Sequence, residues 1–450
     1  MRIFSSSTKR VPRTAVPMNF RPPLVDGRFV SCVNRLTPAL LRWTRQIESV
    51  DVSPDDIRRM QMLDGKRLLI ACNHPTCDDP AIAYALAAQA GIPCHYLACR
   101  ENFDAAKGLA GWVLQRLGGY SVVRGTPDRE SFRMTRRLLA APGGRVVIFP
   151  EGEVYSQNDS LLPFQAGVVQ LAFWALDDVR AAGDATGSIA ILPVAVRYTF
   201  IEDMRPAINR ALTRLEQRVF SQEKQDEAGS AGAPNSAEAT ASQYARLRRI
   251  GIEVLSSMER EYGIKPPRKG VSADSVSEPI EDLSDRMDSM KRLLLERVAS
   301  MVEASVPPDM TLPERMRFLI NKVHNVVRED PESERTPYQA LLHSQQVSRV
   351  TPMLQDLERV ANWVAVQDNY VGASPTPERM ADNIRRLEIE VFGCQMLTGR
   401  RRATVRVGAP IDLSDYYEAY KKDKRAVVAN CVSLLEMAVQ SLLNEQGENP

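Results

Sequence analysis

The chain has 450 residues, 44% hydrophobic and 25% charged, the balance of a globular protein and not of a disordered one. Its 58 Lys and Arg against 56 Asp and Glu leave a net charge of +2, so whole-chain electrostatics gives no case for nucleic-acid binding. Seven cysteines, odd in number and dispersed, argue against a disulfide framework and for a reducing compartment.

Residues 1–50 are markedly cationic: Arg2, Lys9, Arg10, Arg13, Arg21, Arg28, Arg35, Arg42 and Arg45 face only Asp26 and Glu48. The start, Met-Arg-Ile-Phe followed by polar residues, lacks the apolar core of a signal peptide, and a cytoplasmic location is expected. Phe29, Val33, Leu36 and Leu40 recur at helical spacing, Arg28, Arg35 and Arg42 every seven residues on another face, and Pro38 is expected to split the segment into two short helices. Such a stripe either lies in the headgroup layer of anionic lipid or packs on the protein's own core, and the sequence does not choose.

From about residue 66 to 198, short apolar β-rich runs at 68–72, 96–99, 120–123, 146–149 and 191–198 alternate with helix-like segments at 80–90, 105–117, 129–140 and 164–176. The alternation predicts an α/β domain with its polar chemistry at strand-to-helix junctions. Residues 81–99 carry no formal charge, but their Ala-rich composition, Gly91 and Pro93 read as a buried helix plus strand and not a membrane span. Residues 203–400 change to long helical periodicity, as in Met316, Leu319, Ile320, Val323 and Val327, and predict an all-helical insertion. Two stretches within it, 221–242 and 265–278, have the composition of flexible connectors. A last strand at 403–407, a turn at 408–410 and an amphipathic closing helix at 426–443 return to the α/β domain, assigned to 51–202 and 401–450.

Three motifs carry the chemistry. His74 and Asp79 flank a strand-to-helix junction with four residues between them; a neutral imidazole is a natural general base for a hydroxyl, and a carboxylate behind it fixes the tautomer. Thr76, Asp78 or Asp79 could equally cap the helix. Gly118-Gly119-Tyr120-Ser121-Val122-Val123-Arg124 is a glycine-led strand ending in a guanidinium suited to phosphate or simply exposed. Pro150-Glu151-Gly152 follows an apolar strand as a tight turn that could aim backbone N–H groups at an anion or be ordinary loop. Cys72, His74, Cys77 and Asp78, and likewise Cys94, His95 and Cys99, lack the usual paired metal-site spacing, so no metal is expected.

The order of these motifs, followed by Ile191-Leu192-Pro193-Val194, resembles the glycerolipid acyltransferases, the 1-acylglycerol-3-phosphate and glycerol-3-phosphate enzymes. The likeness covers about residues 60–200 plus 404–410 and implies a mixed α/β sheet flanked by helices, here with the large helical insertion before the last strand. It further implies that His74 is the base, Asp79 its partner, Arg124 and the Glu151-Gly152 turn the acceptor-phosphate site, Pro193 part of the acyl-donor wall, and Gly119 a further substrate-binding residue. It implies no cofactor beyond a donor thioester of coenzyme A or acyl carrier protein, a lipid acceptor, and peripheral membrane contact. A turn continued by Glu153 and Val154, where the family commonly has Thr and Arg, leaves the acceptor open. The alternatives are a phospholipid transacylase using the same base, or a decayed core serving as scaffold for the insertion.

Overall fold

The computed structural model describes residues 20–123, 128–220, 236–265, 280–308, 310–327, 336–363 and 376–448. The chain opens with helix α1 (Gly27–Arg45), whose N-terminus is capped by Asp26 through the amides of Arg28 and Phe29. Pro38 lies inside this helix without ending it, contrary to expectation. A proline forfeits one amide bond to the preceding turn, and burial of Thr37 and Leu41 on either side holds the remaining turns in place.

Strand β1 (Ile47–Val52), helix α2 (Pro54–Met62), β2 (Leu68–Cys72), α3 (Asp79–Ala90), β3 (His95–Cys99), α4 (Arg100–Asp104), α5 (Leu109–Arg116), β4 (Gly119–Val122), α6 (Arg129–Ala140), β5 (Arg145–Ile148), α7 (Ala166–Ala181) and β6 (Ala190–Phe200) follow. The helix predicted over 105–117 begins only at Leu109, because Ala106, Lys107 and Gly108 all adopt positive φ. β1 and the short helix after it were not expected from the sequence. Helices α8 (Arg205–Val219), α9 (Ser236–Glu261), α10 (Ile280–Met301), α11 (Leu312–Val327), α12 (Pro337–Trp363) and α13 (Pro377–Phe392) separate β6 from β7 (Arg401–Val407). Of the two expected connectors, residues 236–242 are helical in α9, and 221–235 and 266–278 lie outside the described residues. β8 (Ile411–Asp412), α14 (Tyr417–Lys422) and α15 (Lys424–Glu448) complete the chain.

The strands form one mixed eight-stranded sheet in the order β1-β7-β6-β2-β5-β3-β4, with β8 also on β6. β6, β2, β5, β3 and β4 are parallel, whereas β7 runs antiparallel to β6 and parallel to β1. Strands buried on both faces account for the nearly continuous apolar runs Leu68–Cys72 and Ala190–Val196. Leu192, Val194 and Val196 face one core with α3, while Ile191 and Ala195 face another with Phe173, Leu435 and Val439 of α7 and α15. α15 is long and apolar enough to cross a membrane by length and composition, but Cys431, Leu435, Val439 and Leu443 are buried against the sheet. A third core lies among the helices between β6 and β7 and also takes in Tyr155 and Leu162 from the loop after β5.

Candidate active site

β2 and β5 are parallel neighbours, with Ala71 beside Ile148, so the segments leaving their carboxyl ends emerge side by side. His74 leaves one end and Glu151 the other. Asn73 anchors the first loop by treating β6 as a partner strand: its amide nitrogen donates to Val196 O at 2.9 Å and its oxygen accepts from Val196 N at 2.7 Å. The His74 amide then donates to Glu151 Oε1 at 2.7 Å, and the amide of Leu162 donates to Oε2 at 3.3 Å. One carboxylate thus ties the His74 loop to both ends of the loop between β5 and α7.

The His74 ring stacks on Phe149 at 4.3 Å between centroids, and its Nδ1 meets Asp79 Oδ2 at 2.8 Å. Asp79 is wholly buried at the first turn of α3, where the helix dipole favours a carboxylate. Its oxygens are saturated: Oδ2 also accepts from Thr76 N at 2.7 Å, and Oδ1 accepts from Thr76 Oγ1 at 3.1 Å and from the Tyr198 hydroxyl. At the start of α3, Asp78 makes no side-chain cap and instead pairs with Arg401 at 2.7 Å and Arg45 at 3.2 Å, Thr76 Oγ1 accepts from the Asp78 amide at 3.1 Å, and Asp79 occupies the first turn while also holding His74. An acceptor on the Nδ1 side makes Nδ1 carry the proton of a neutral imidazole and leaves the lone pair on Nε2. Nε2 has no partner among the described residues, and the side chain is 15% exposed.

Burial pushes two neighbouring acids up. The Glu151 carboxyl rises to about 7 because desolvation outweighs the amide of His74, the His74 charge and the amide of Leu162, with Asp79 adding to the rise. Tyr198 is held well above its ordinary value by burial and by the negative charges of Asp79 and Asp78, so it stays a donor to Asp79.

Gly152 takes φ +76°, as a tight turn requires, and its amide closes on Phe149 O at 3.0 Å. The structure does not bring Gly119 or Pro193 to His74. Gly119 opens β4 beside Tyr96, which in turn pairs with Val147, level with Ile70 and several residues short of the site's edge of the sheet. A side chain there would sit 2.8 Å from Leu114 O, so glycine serves the packing of α5 against β4. Pro193 is beside Ala71, and its ring faces Gly408 on the sheet face opposite Tyr198. Arg124 lies outside the described residues.

Tyr198 contributes to the site without having been singled out in the sequence, whereas Asn73 and Phe149 stood inside the His74 and Glu151 motifs without a role of their own and Thr76 was read there only as a candidate helix cap. Among the described residues no group of three or more His, Cys, Asp and Glu side chains could hold a metal ion. Cys72 and Cys94 are buried, and burial drives both thiols upward, Cys94 to about 12.

Among curated proteins, none matches the sequence. The acyltransferase family model matches residues 49–197, the stretch that runs from β1 through β6 and contains His74, Asp79 and Glu151. Residues 49–197, within a mixed sheet flanked by helices, thus match an acyltransferase-family domain.

Proposed function

We propose that the chain transfers an acyl group from a thioester of coenzyme A or acyl carrier protein to a hydroxyl of a glycerophosphate-type lipid precursor, with His74 as general base. The observation that carries this reading is the 2.8 Å contact of His74 Nδ1 with a wholly buried Asp79, which leaves Nε2 as the proton acceptor. Nε2 takes the hydroxyl proton as the oxygen attacks the thioester carbonyl. The tetrahedral intermediate collapses by breaking the C–S bond, and the imidazolium returns its proton to the departing thiolate. Asp79 stabilises the imidazolium through each half of the cycle. Gly152 and its turn, beside Glu151, are the proposed contact for the acceptor's phosphate, and Arg124 a further one.

The reaction is proposed to occur at a cytoplasmic membrane surface. Leu36, Leu40 and Trp43 lie three and four residues apart on one face of α1 and are exposed, Trp43 by 84%, while Val33 and Leu41 turn inward. Arg28, Arg35 and Arg42 are exposed beside them, and Trp112 and Leu109 of α5 extend the apolar surface. An apolar ridge with a cationic margin suits a headgroup layer of anionic lipid.

The test is to incubate the purified full chain with mixed lysolipids and labelled acyl thioester and to identify the product by mass. A labelled diacyl product supports the reading. Label left in the thioester while acyl chains exchange between phospholipids contradicts it and identifies a transacylase.

A further inference from the structure

The loop between β5 and α7 carries Glu151 but is not held by the sheet alone. Tyr155 and Leu162 are buried within the core of the helices between β6 and β7. Three arginines from those helices bond the loop. Arg317 of α11 donates from Nη2 to Glu151 O at 2.9 Å and to Pro163 O at 3.1 Å, and from Nε to the Tyr155 hydroxyl at 3.4 Å. Arg386 of α13 donates to Tyr155 O at 2.7 Å and to Ser156 O at 2.9 Å, spanning a residue that adopts φ +53°. Arg379 pairs with Asp159 at 2.8 Å.

Arg317 is the one of the three that reaches the residue in contact with His74. Its planar guanidinium bridges the two carbonyls from Nη2 while Nε reaches the Tyr155 hydroxyl, a combination that one ammonium nitrogen does not offer. Here it joins the first turn of the loop to its last residues, two places that the Glu151 carboxylate also links from within through Leu162 N, while its other oxygen holds His74 N.

We propose that Arg317 is a positioning residue for acyl transfer: by fixing the backbone of Glu151 and Pro163 it sets where the Glu151 carboxylate holds the His74 loop. The helices between β6 and β7 are then a working part of the catalytic unit and not an appended module. The proposal rests on the reading of His74 as the base.

The experiment compares full-length Arg317→Ala, Arg317→Lys and Arg315→Ala. Arg315 is the control, since it lies on the same helix and bonds carbonyls of its own lead-in, Met310 O at 3.1 Å and Pro308 O at 3.1 Å. Arg317→Ala is expected to lower kcat on the order of 10- to 100-fold, the scale of a misplacement of about 1 Å, with KM for the thioester unchanged. Arg317→Lys should recover part of the rate. Hydrogen exchange supplies a readout independent of turnover: the amides of His74, Gly152 and Leu162 should exchange faster in Arg317→Ala and not in Arg315→Ala. If the alanine variant does not fold, Arg317→Gln decides by the same two readouts. Equal kcat and equal exchange in the Arg317 and Arg315 variants would overturn the positioning role. Turnover retained in His74→Ala would instead overturn the base assignment, so the two failures are distinguishable.

Discussion

Glu151→Gln exchanges a buried, titrating carboxyl for an amide of the same shape. Burial raises the Glu151 carboxyl from 4.5 to about 7 in the folded protein. At about 1.4 kcal/mol per pH unit this corresponds to about 3 kcal/mol. The folded state binds the proton more tightly than the unfolded chain, so the contribution to stability is fully present below pH 4.5 and is lost as pH rises through about 7. Glutamine has no such dependence. It keeps one oxygen for the His74 amide but presents an NH2 to the Leu162 amide, a pH-independent cost of about 1 kcal/mol. Urea unfolding of both proteins at a series of pH values should show the wild type losing about 3 kcal/mol relative to Glu151→Gln between the two ionisation limits. Titrating groups that do not act on Glu151 cancel in that difference, which leaves its coupling to His74 and Asp79. A difference that stays constant with pH would refute the assignment of a raised carboxyl at this position.

Three further substitutions probe neighbouring links. Asp79→Asn keeps the shape, but its amide can donate to Nδ1, placing the imidazole proton on Nε2; steady-state rates should fall by about 10⁴-fold with the fold intact, and a fall of less than tenfold would argue against the dyad. Asn73→Ala leaves the buried Val196 N–H and C=O without their side-chain partner and should cost about 2–4 kcal/mol in thermal or urea unfolding, whereas a cost under about 1 kcal/mol would show that the loop is not anchored there. Gly152→Ala forces a side chain into φ +76° at about 1–2 kcal/mol and puts a Cβ 1.7 Å from Gln165 Nε2, displacing that amide from Glu151 O; unchanged melting would contradict the strain at this turn.

The contrast between His74 and Arg317 shows what could be read from the sequence. His74 and Asp79 lie across one strand-to-helix junction, so a β run, a Pro and the start of a helix were enough to bring them into range. Glu151 was legible as a turn residue, but its bond to the His74 amide depends on β5 lying beside β2, and strand order is set by packing across the whole sheet. Arg317 is 166 residues from Glu151 and carries no local signal at all. Gly119 misled because a glycine that admits a ligand and one that admits the Leu114 carbonyl look alike in sequence. β1 escaped notice because its burial is partial at five of six positions, weakening its alternation, and its ladder among the described residues is to β7, far along the chain. Pro38 was weighed by intrinsic helix preference, which tertiary burial of α1 overrides.

The central claim is that the His74 ring, held by Asp79, takes the proton of the acceptor hydroxyl. The most direct measurement is the initial rate of acyl transfer from labelled thioester by purified wild type and His74→Ala, with unfolding curves to show equal folding. The account predicts a loss of about 10²–10⁴-fold in kcat with KM for the donor little changed, the range expected when a positioned general base is removed. Turnover within threefold of wild type (about 0.7 kcal/mol) would contradict it.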